Sequence, residues 1–563
     1  MFFKLPKLLV FNTNKWLERQ QTSILSAAAI ITVANVVSSL AGLLRERFLI
    51  ASFFSSVAGQ QAYEAFQVAF QIPDMLFQLI VLGALSAAFI PVFTALKKKD
   101  QTKAFQVSAV VMNVLLLIFL LVSVGVFLIA QPLTAWRTGA EFATEQIQIT
   151  ANLTRIMLIA QFFFAISNFL TGILQSYQRF IMPAIAPVLY NLGIILGVWL
   201  FAGSLGIYAA GLGVIIGAFL HMAAQLPLAW KLGFRFHLSF NWRLPGVREM
   251  FRLIPPRVLT LAVTELQNLA LGFLATSIGN LSFVIIRLGL RLMTIPIRLF
   301  GVPISQASLP FFAAESADFN QQKFKELVLQ SLHQISFLAL PASVLLLILR
   351  VPIVRLVFGT HNFAWSHTII TGRVVALISI SIAAQAMVQL LIRTFHALKD
   401  TKTPFMITVV SVSVYLVAGW LLVNFTDYGV LGLAATTSLV AFVELALFMI
   451  FLDQKIQAFI SKAFFLPQLK MISASFLMAV FLYLPFRIFD ELVFDTSRTV
   501  ELIALTITTG TIGMLVYLYF AALFEIRELN YLITMLQKFG RWRKPLVKAE
   551  EVLVETSVEG DEV

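Results

Sequence analysis

Residues 281–302 read LSFVIIRLGLRLMTIPIRLFGV, an apolar run interrupted by Arg287, Arg291 and Arg298. A run of about 20 mostly apolar residues is what an α-helix needs to cross a bilayer. An arginine at the centre of such a helix costs about 2.5–3.5 kcal/mol on insertion scales. At about 100° per residue, Arg291 lies about 40° from Arg287, and Arg298 about 20° from Arg291. The three share one stripe, spread over about 16 Å of helix. Turned to lipid they would together cost about 8–10 kcal/mol, comparable to the whole stability of a folded protein. They must face a polar cavity or paired carboxylates, which requires several spans around a common interior.

The rest of the chain supplies those spans. Hydrophobic residues make up 59% of the 563 and charged residues 12%, whereas a soluble domain carries about 25% charged residues to meet water. Apolar spans read near 23–52, 61–96, 103–131, 147–175, 181–202, 206–231, 250–276 and 281–314, then 328–358, 366–397, 404–425, 427–453, 467–488 and 500–525. The expectation is an all-α polytopic membrane protein of about 14 transmembrane helices. Pro73, Pro91, Pro183, Pro303 and Pro341 lie within spans or at their ends, where a missing backbone donor bends a helix. Trp136, Trp230, Trp365 and Trp420 fall near span ends, where an amphipathic ring suits the interface.

The net charge of +13 does not point to nucleic acid, because the basic residues crowd alternate loops. They gather at Lys97, Lys98, Lys99 and Lys103, at Lys231, Arg235, Arg243 and Arg248, and at Lys323 and Lys325. Further groups are Lys399 with Lys402, Lys455 with Lys462 and Lys470, and Arg541 with Arg543, Lys544 and Lys548. Cytoplasmic loops carry such an excess, so both termini are expected inside the cell. Residues 1–22 are expected to form a basic cytoplasmic lead-in rather than a cleaved signal. Cysteine is absent, which excludes disulfides, thiolate metal sites and cysteine nucleophiles.

An internal repeat is also legible. Leu170-Thr171-Gly172 through Pro183 matches Leu391-Ile392-Arg393 through Pro404, at 404 − 183 = 221. Pro91-Val92-Phe93 pairs with Pro310-Phe311-Phe312 at 310 − 91 = 219, and Gly206-Ile207-Tyr208 with Gly429-Val430-Leu431 at 429 − 206 = 223. Two lobes of six helices each, inserted in the same orientation, follow from an even repeat. The expected organisation is an N-lobe at 23–231, a cytoplasmic linker at 232–249 and a C-lobe at 250–453. Two extra spans follow at 454–525, and 526–563 reads as a basic amphipathic helix with an acidic disordered tail.

Other charges lie inside spans. Arg45, Glu46 and Arg47 are consecutive, so they cannot all face one cavity; Arg45 is expected inward, with Arg47 paired or near the outer interface. Arg252 and Arg257 flank Pro255-Pro256 near a span end, where snorkelling competes with a cavity role. For the arginines of 281–302 the structural alternative is salt bridging to Glu64 or Glu265. Glu265 could instead carry a proton or a sodium ion. The functional reading is a cationic cavity for an anionic substrate, since guanidinium forks match phosphate oxygens bidentately. His221, His333 and His396 lack metal-ligand spacing, and Gly213 with Gly217 form a GxxxG of the helix-packing kind. No GxxxxGKS/T, HExxH or GxSxG occurs, so neither a nucleotide-driven pump nor a hydrolase is expected.

Several segments resemble one family. Ala62-Tyr63-Glu64-Ala65-Phe66 through Ile72-Pro73-Asp74, then Gly83 to Phe93, resembles the second helix of MurJ (MviN) proteins. Gly42 to Arg47, Pro256 to Leu259, Arg291 to Met293, Leu299 to Val302 and Ala397 to Pro404 resemble further motifs of that family. The family comprises the lipid II flippases of bacterial peptidoglycan synthesis, within the multidrug/oligosaccharidyl-lipid/polysaccharide exporter superfamily. The resemblance spans roughly 23–525 and implies two lobes around a cationic cavity that grips an undecaprenyl-linked diphosphate. It implies pyrophosphate binding by Arg45 and Arg291, with Arg287 and Arg298 added from the stripe. Arg257, Glu64, Glu265 and Ser39 are possible supporting residues. Ser39, Phe77 and Gln71 stand where family members carry basic residues, which moves positive charge from the first lobe to the second.

The resulting expectation is alternating-access flipping of lipid II in the bacterial cytoplasmic membrane. No enzyme chemistry, cofactor or metal is expected, and the drive would be the membrane potential or a Na+ or H+ gradient. Partners would be the lipid-linked saccharide, membrane lipids and cell-wall synthesis proteins, with no nucleic acid. Export of another undecaprenyl-diphosphate-linked glycan, a cation-coupled drug antiporter and a non-transporting membrane scaffold remain alternatives.

Overall fold

The computed structural model describes residues 24–533 apart from 84, 86–88, 318–320, 457–458, 497 and 531. The side chains of 24–32, 91, 245, 253, 256, 257 and 317 also fall outside the description, as do the basic lead-in and most of the C-terminal tail. Among the described residues the chain is helical, with no strand. The first half holds α1 (Ile24–Phe53), α2 (Val57–Ala69), α3 (Gln71–Phe77), α4 (Ile90–Lys99), α5 (Gln101–Leu128), α6 (Ala130–Arg137), α7 (Thr144–Ser176), α8 (Ile181–Leu205) and α9 (Tyr208–Lys231). The second holds α10 (Pro245–Ile278), α11 (Ser282–Pro296), α12 (Val302–Ala317), α13 (Gln321–Ile348), α14 (Arg350–Phe358), α15 (Trp365–Ser379), α16 (Ile382–Ala397), α17 (Lys402–Phe425) and α18 (Val430–Lys455). Then come α19 (Lys462–Ile488) and α20 (Thr499–Leu523).

Local chemistry sets several of these starts. Ser56 precedes α2 and accepts from the Gly59 amide at 3.1 Å. Asp100 precedes α5 and accepts from the Lys103 amide at 3.1 Å. Such side chains satisfy amides that the first helical turn leaves without partners.

Among the described residues, all fourteen predicted spans fall on helical tracts. Eleven continuous helical stretches among the described residues are long and apolar enough to cross a membrane, and α15 with α16, bent by 47°, makes a twelfth. The other two tracts, α1 and α11–α12, are those that carry Arg45, Glu46 and Arg47 and the three-arginine stripe. Trp136, Trp230, Trp365 and Trp420 stand exposed near helix ends, and Leu121, Trp199, Phe476 and Leu515 stand exposed along helix flanks.

The repeat extends to backbone detail. Gln78–Leu82 and Ile297–Gly301 are both π-helical turns, at 297 − 78 = 219. Gln178 and Lys399 both take positive φ, 56° and 57°, at 399 − 178 = 221. Gly206 and Gly429 do so at 54° and 51°, at 429 − 206 = 223, a backbone region in which only glycine escapes a Cβ penalty. The two halves also repeat their packing: α1 lies against α8 as α10 does against α17, and α7 and α8 against α9 as α16 and α17 do against α18.

One apolar core lies in the first half, around Phe89, Phe93, Phe169 and Leu170, and takes in Val247 and Met250 from the start of α10. A second lies within the second half, around Phe312, Phe324, Phe395 and Phe448. A third joins the halves, bringing Leu49, Tyr63 and Phe66 against Phe283, Ile286 and Phe358. A fourth fastens α19 and α20 to α13 through Phe337, Met471, Met478 and Tyr517. The joint between the halves carries polar clasps too. Arg47 Nη1 donates to the Leu356 carbonyl at 2.5 Å and Asn362 Nδ2 to the Ala51 carbonyl at 2.8 Å.

Candidate functional site

Where α1, α2 and α11 meet, a carboxylate with no solvent exposure organises the polar interior. Glu46 is 0% exposed, and an anion there has to be fully paired to survive loss of water. Its two oxygens have different partners. Oε2 faces cations: Arg45 Nη2 lies 3.2 Å away, and Arg291 Nη1 pairs with the same oxygen. Oε1 faces neutral donors: the Tyr63 hydroxyl donates to it, and Gln67 Nε2 donates at 2.5 Å. Gln67 closes the ring by accepting from Arg291 Nη2 at 3.3 Å and by donating to the Tyr63 hydroxyl at 2.7 Å. Tyr63 and Gln67 are one turn apart on α2, so both reach the same side of that helix.

Arg287, one turn before Arg291, is half-buried over the Phe283 ring at 5.8 Å. Asp74 and Glu265 are its electrostatic neighbours of opposite sign, and Arg45 repels both Arg287 and Arg291. The Nε atoms of Arg45 and Arg287 are buried and make no hydrogen bond with any described residue. A buried guanidinium donor without an acceptor can donate to an anion's oxygen.

Arg298 does not join this group. The stripe drawn from a regular helix ends at Pro296, and the π-helical turn that follows changes the residue spacing. Arg298 sits in that turn, exposed, with no hydrogen bond or ion pair to another described residue. Arg257 lies on α10, but its side chain is outside the described residues.

Neither proposed carboxylate partner forms an ion pair with the stripe. Glu64 is buried and accepts from Gln146 Nε2 at 3.2 Å and from the Phe283 amide at 3.3 Å, tying α2 to the start of α11. Glu265 is half-buried on α10 and accepts from Asn268 Nδ2 at 3.3 Å. Ser39 donates within its own helix, to the Asn35 carbonyl at 2.7 Å.

At two of the positions where basic residues are missing, local packing fills the place. Gln71 accepts from Arg137 Nη1 at 2.6 Å and donates to the Asn268 carbonyl at 2.8 Å. Phe77 packs against Phe164, with ring centres 6.1 Å apart. A polar cavity of about 220 Å³ is lined by Gln60, Gln61, Glu64, Glu141, Gln146, Asn280 and His367, and none of the three arginines lines it. No group of three His, Asp or Glu among the described residues could hold a metal ion.

Sequence reasoning missed Glu46, Tyr63 and Gln67 as site residues, and Arg137 as a buried cation. The signal for Glu46 was the rarity of a carboxylate in a membrane helix; neutral Tyr63 and Gln67 gave none.

The family model described as lipid II flippase MurJ matches residues 50–503. The lipid II flippase MurJ of Burkholderia cenocepacia is 27% identical over 393 residues, covering 68% of this chain and 75% of that protein. A solved structure of a lipid II flippase MurJ in an inward closed conformation superposes with a TM-score of 0.72 at 22% identity, covering 88% of this chain and 98% of that one. An inward-facing multidrug resistance MATE family transporter of the MOP superfamily gives 0.62 at 14% identity, covering 77% and 98%. The two structural likenesses carry the fold.

Proposed function

Because the chain belongs to the lipid II flippase MurJ family, we propose that it carries lipid II from the inner to the outer leaflet of the bacterial cytoplasmic membrane by alternating access. One observation carries the assignment of the binding site. Arg45, Arg287 and Arg291 lie within electrostatic reach of one another in the interior, and two of them keep buried Nε donors unused. That donor set suits the clustered oxygens of a diphosphate, which planar guanidiniums bind through paired N–H groups. The reaction is translocation, with no bond made or broken, and its drive would be an ion gradient or the membrane potential. Both termini would lie in the cytoplasm, as the alternation of basic loops implies.

The test is complementation of a bacterium depleted of its own flippase. The wild-type chain should restore growth, and Arg291→Gln, inserted at equal level, should not. Growth supported by Arg291→Gln would remove Arg291 from the site.

A second reading, another undecaprenyl-diphosphate-linked glycan as cargo, draws support from the engagement of Gln71 with Arg137 and of Phe77 with Phe164. It predicts failure of that complementation together with transport of a different diphosphate-linked saccharide in reconstituted vesicles.

A further inference from the structure

We propose that Glu46 is an internal counter-anion, exchanged for the substrate's phosphate each time the transporter loads, so that only a multivalent anion takes the site. The inference rests on the flippase reading above and adds a regulator to its site. The split between the two carboxylate oxygens carries it. Arg45 and Arg291 hold Oε2, whereas the uncharged donors of Tyr63 and Gln67 hold Oε1. When a phosphate takes the guanidiniums, the carboxylate loses its cations and keeps two hydrogen bonds. It is never left as a bare buried charge, the state that makes breaking a buried ion pair so costly.

The exchange also has a path. The unused Nε donors of Arg45 and Arg287 let an incoming oxygen bind before Glu46 lets go. Gln67 couples the two halves of the event, because one amide donates to Glu46 and accepts from Arg291. The Arg291–Gln67 bond is long, at 3.3 Å, and so is the weakest link of the ring.

Two consequences follow. A single-charge competitor such as a carboxylate or a phosphodiester gains little by replacing a carboxylate already seated, whereas a diphosphate presents two charges. Release is also assisted, since Glu46 returns to the arginines as the cargo leaves. An arginine pair without its counter-anion would hold the cargo too long.

The experiment uses the purified full chain in nanodiscs, with inorganic pyrophosphate and the singly charged diester dimethyl phosphate as probes, and headgroup translocation measured in vesicles. Glu46→Gln keeps the shape and the oxygen facing Tyr63 but removes the charge. It should bind pyrophosphate about tenfold more tightly than wild type, acquire measurable dimethyl phosphate binding, and translocate more slowly. Glu46→Asp, one methylene shorter, withdraws the charge from the arginines and should show the same changes in weaker form, which keeps the test open if Glu46→Gln folds poorly. Unchanged or weaker pyrophosphate binding in both, with Arg291→Gln still abolishing it, overturns the counter-anion and spares the flippase site. Pyrophosphate binding that survives in Arg291→Gln overturns both.

Discussion

Tyr63 shows how a neutral residue is written into a charged site without a sequence signal. Its hydroxyl reaches Glu46 from a fully buried position, yet an aromatic residue in an apolar helix reads as ordinary packing. Arg45 and Arg291 were legible because charge in a membrane helix is expensive. Their common partner was not. Neighbouring residues on a helix point about 100° apart, but the long arginine side chain bends back, and Arg45 meets Glu46 in the next position. Tyr63→Phe leaves the carboxylate one donor short and should cost about 1–3 kcal/mol, read as a fall in unfolding temperature in detergent. In a Glu46→Gln background the same change should cost clearly less, and equal losses in both backgrounds would show that the hydroxyl does not act on Glu46. Arg298, exposed beyond Pro296, sets the contrast. Arg298→Gln should lower translocation less than about threefold, against a loss of more than about tenfold for Arg291→Gln, the difference expected between a solvated and a buried charged contact.

Among elements, hydropathy placed the predicted spans on helical tracts but could not see where helices change their winding. The spans at 61–96 and 281–314 looked continuous, whereas each contains a π-helical turn at the equivalent place in the repeat. Apolarity is indifferent to winding, so only the offset of 219, already visible in the two proline motifs, hinted that the two tracts are built alike. The GxxxG of α9 is a packing device: a Cβ added to Gly193 would lie 2.3 Å from the Gly217 Cα, closer than any side chain tolerates. Gly193→Ala and Gly217→Ala should therefore lower the unfolding temperature. Gly203→Ala, with open space around it, should leave it unchanged or raise it slightly through about 0.5–1 kcal/mol of helix preference. Equal behaviour of the three variants would contradict this crossing. The start of α17 makes a second case. Burial pushes the Asp400 carboxyl up, but the Lys455 ammonium at 2.6 Å and the Thr403 hydroxyl and amide outweigh it and hold it at about 2. A carboxylate depressed below its unfolded value of about 3.9 stabilises fully above about pH 4 and loses that contribution as pH falls toward 2. Solvent screening leaves about 1 kcal/mol, so Asp400→Asn should be less stable by a similar amount at about pH 7 and about pH 5. A deficit that disappeared between those two values would assign the stabilisation to another titrating group.

At the scale of the molecule, the repeat could be read from the chain, whereas the pairing of the lobes could not. Interlobe contacts join residues hundreds of positions apart and leave no periodicity. The third core and the clasps Arg47–Leu356 and Asn362–Ala51 hold α1 against the loop and helix around α14. Two lobes in one orientation can expose a central site alternately only if such a joint opens once per cycle. The clasps make that requirement testable, since the chain contains no cysteine and introduced thiols will be the sole reactive pair. Ala51→Cys combined with Asn362→Cys, bridged by a short thiol-reactive linker in vesicles, should stop headgroup translocation. Each single variant treated with the same linker should continue. If the bridged protein still translocates at the wild-type rate with cross-linking complete, this joint stays shut throughout the cycle, and the opening that releases cargo lies elsewhere between the lobes.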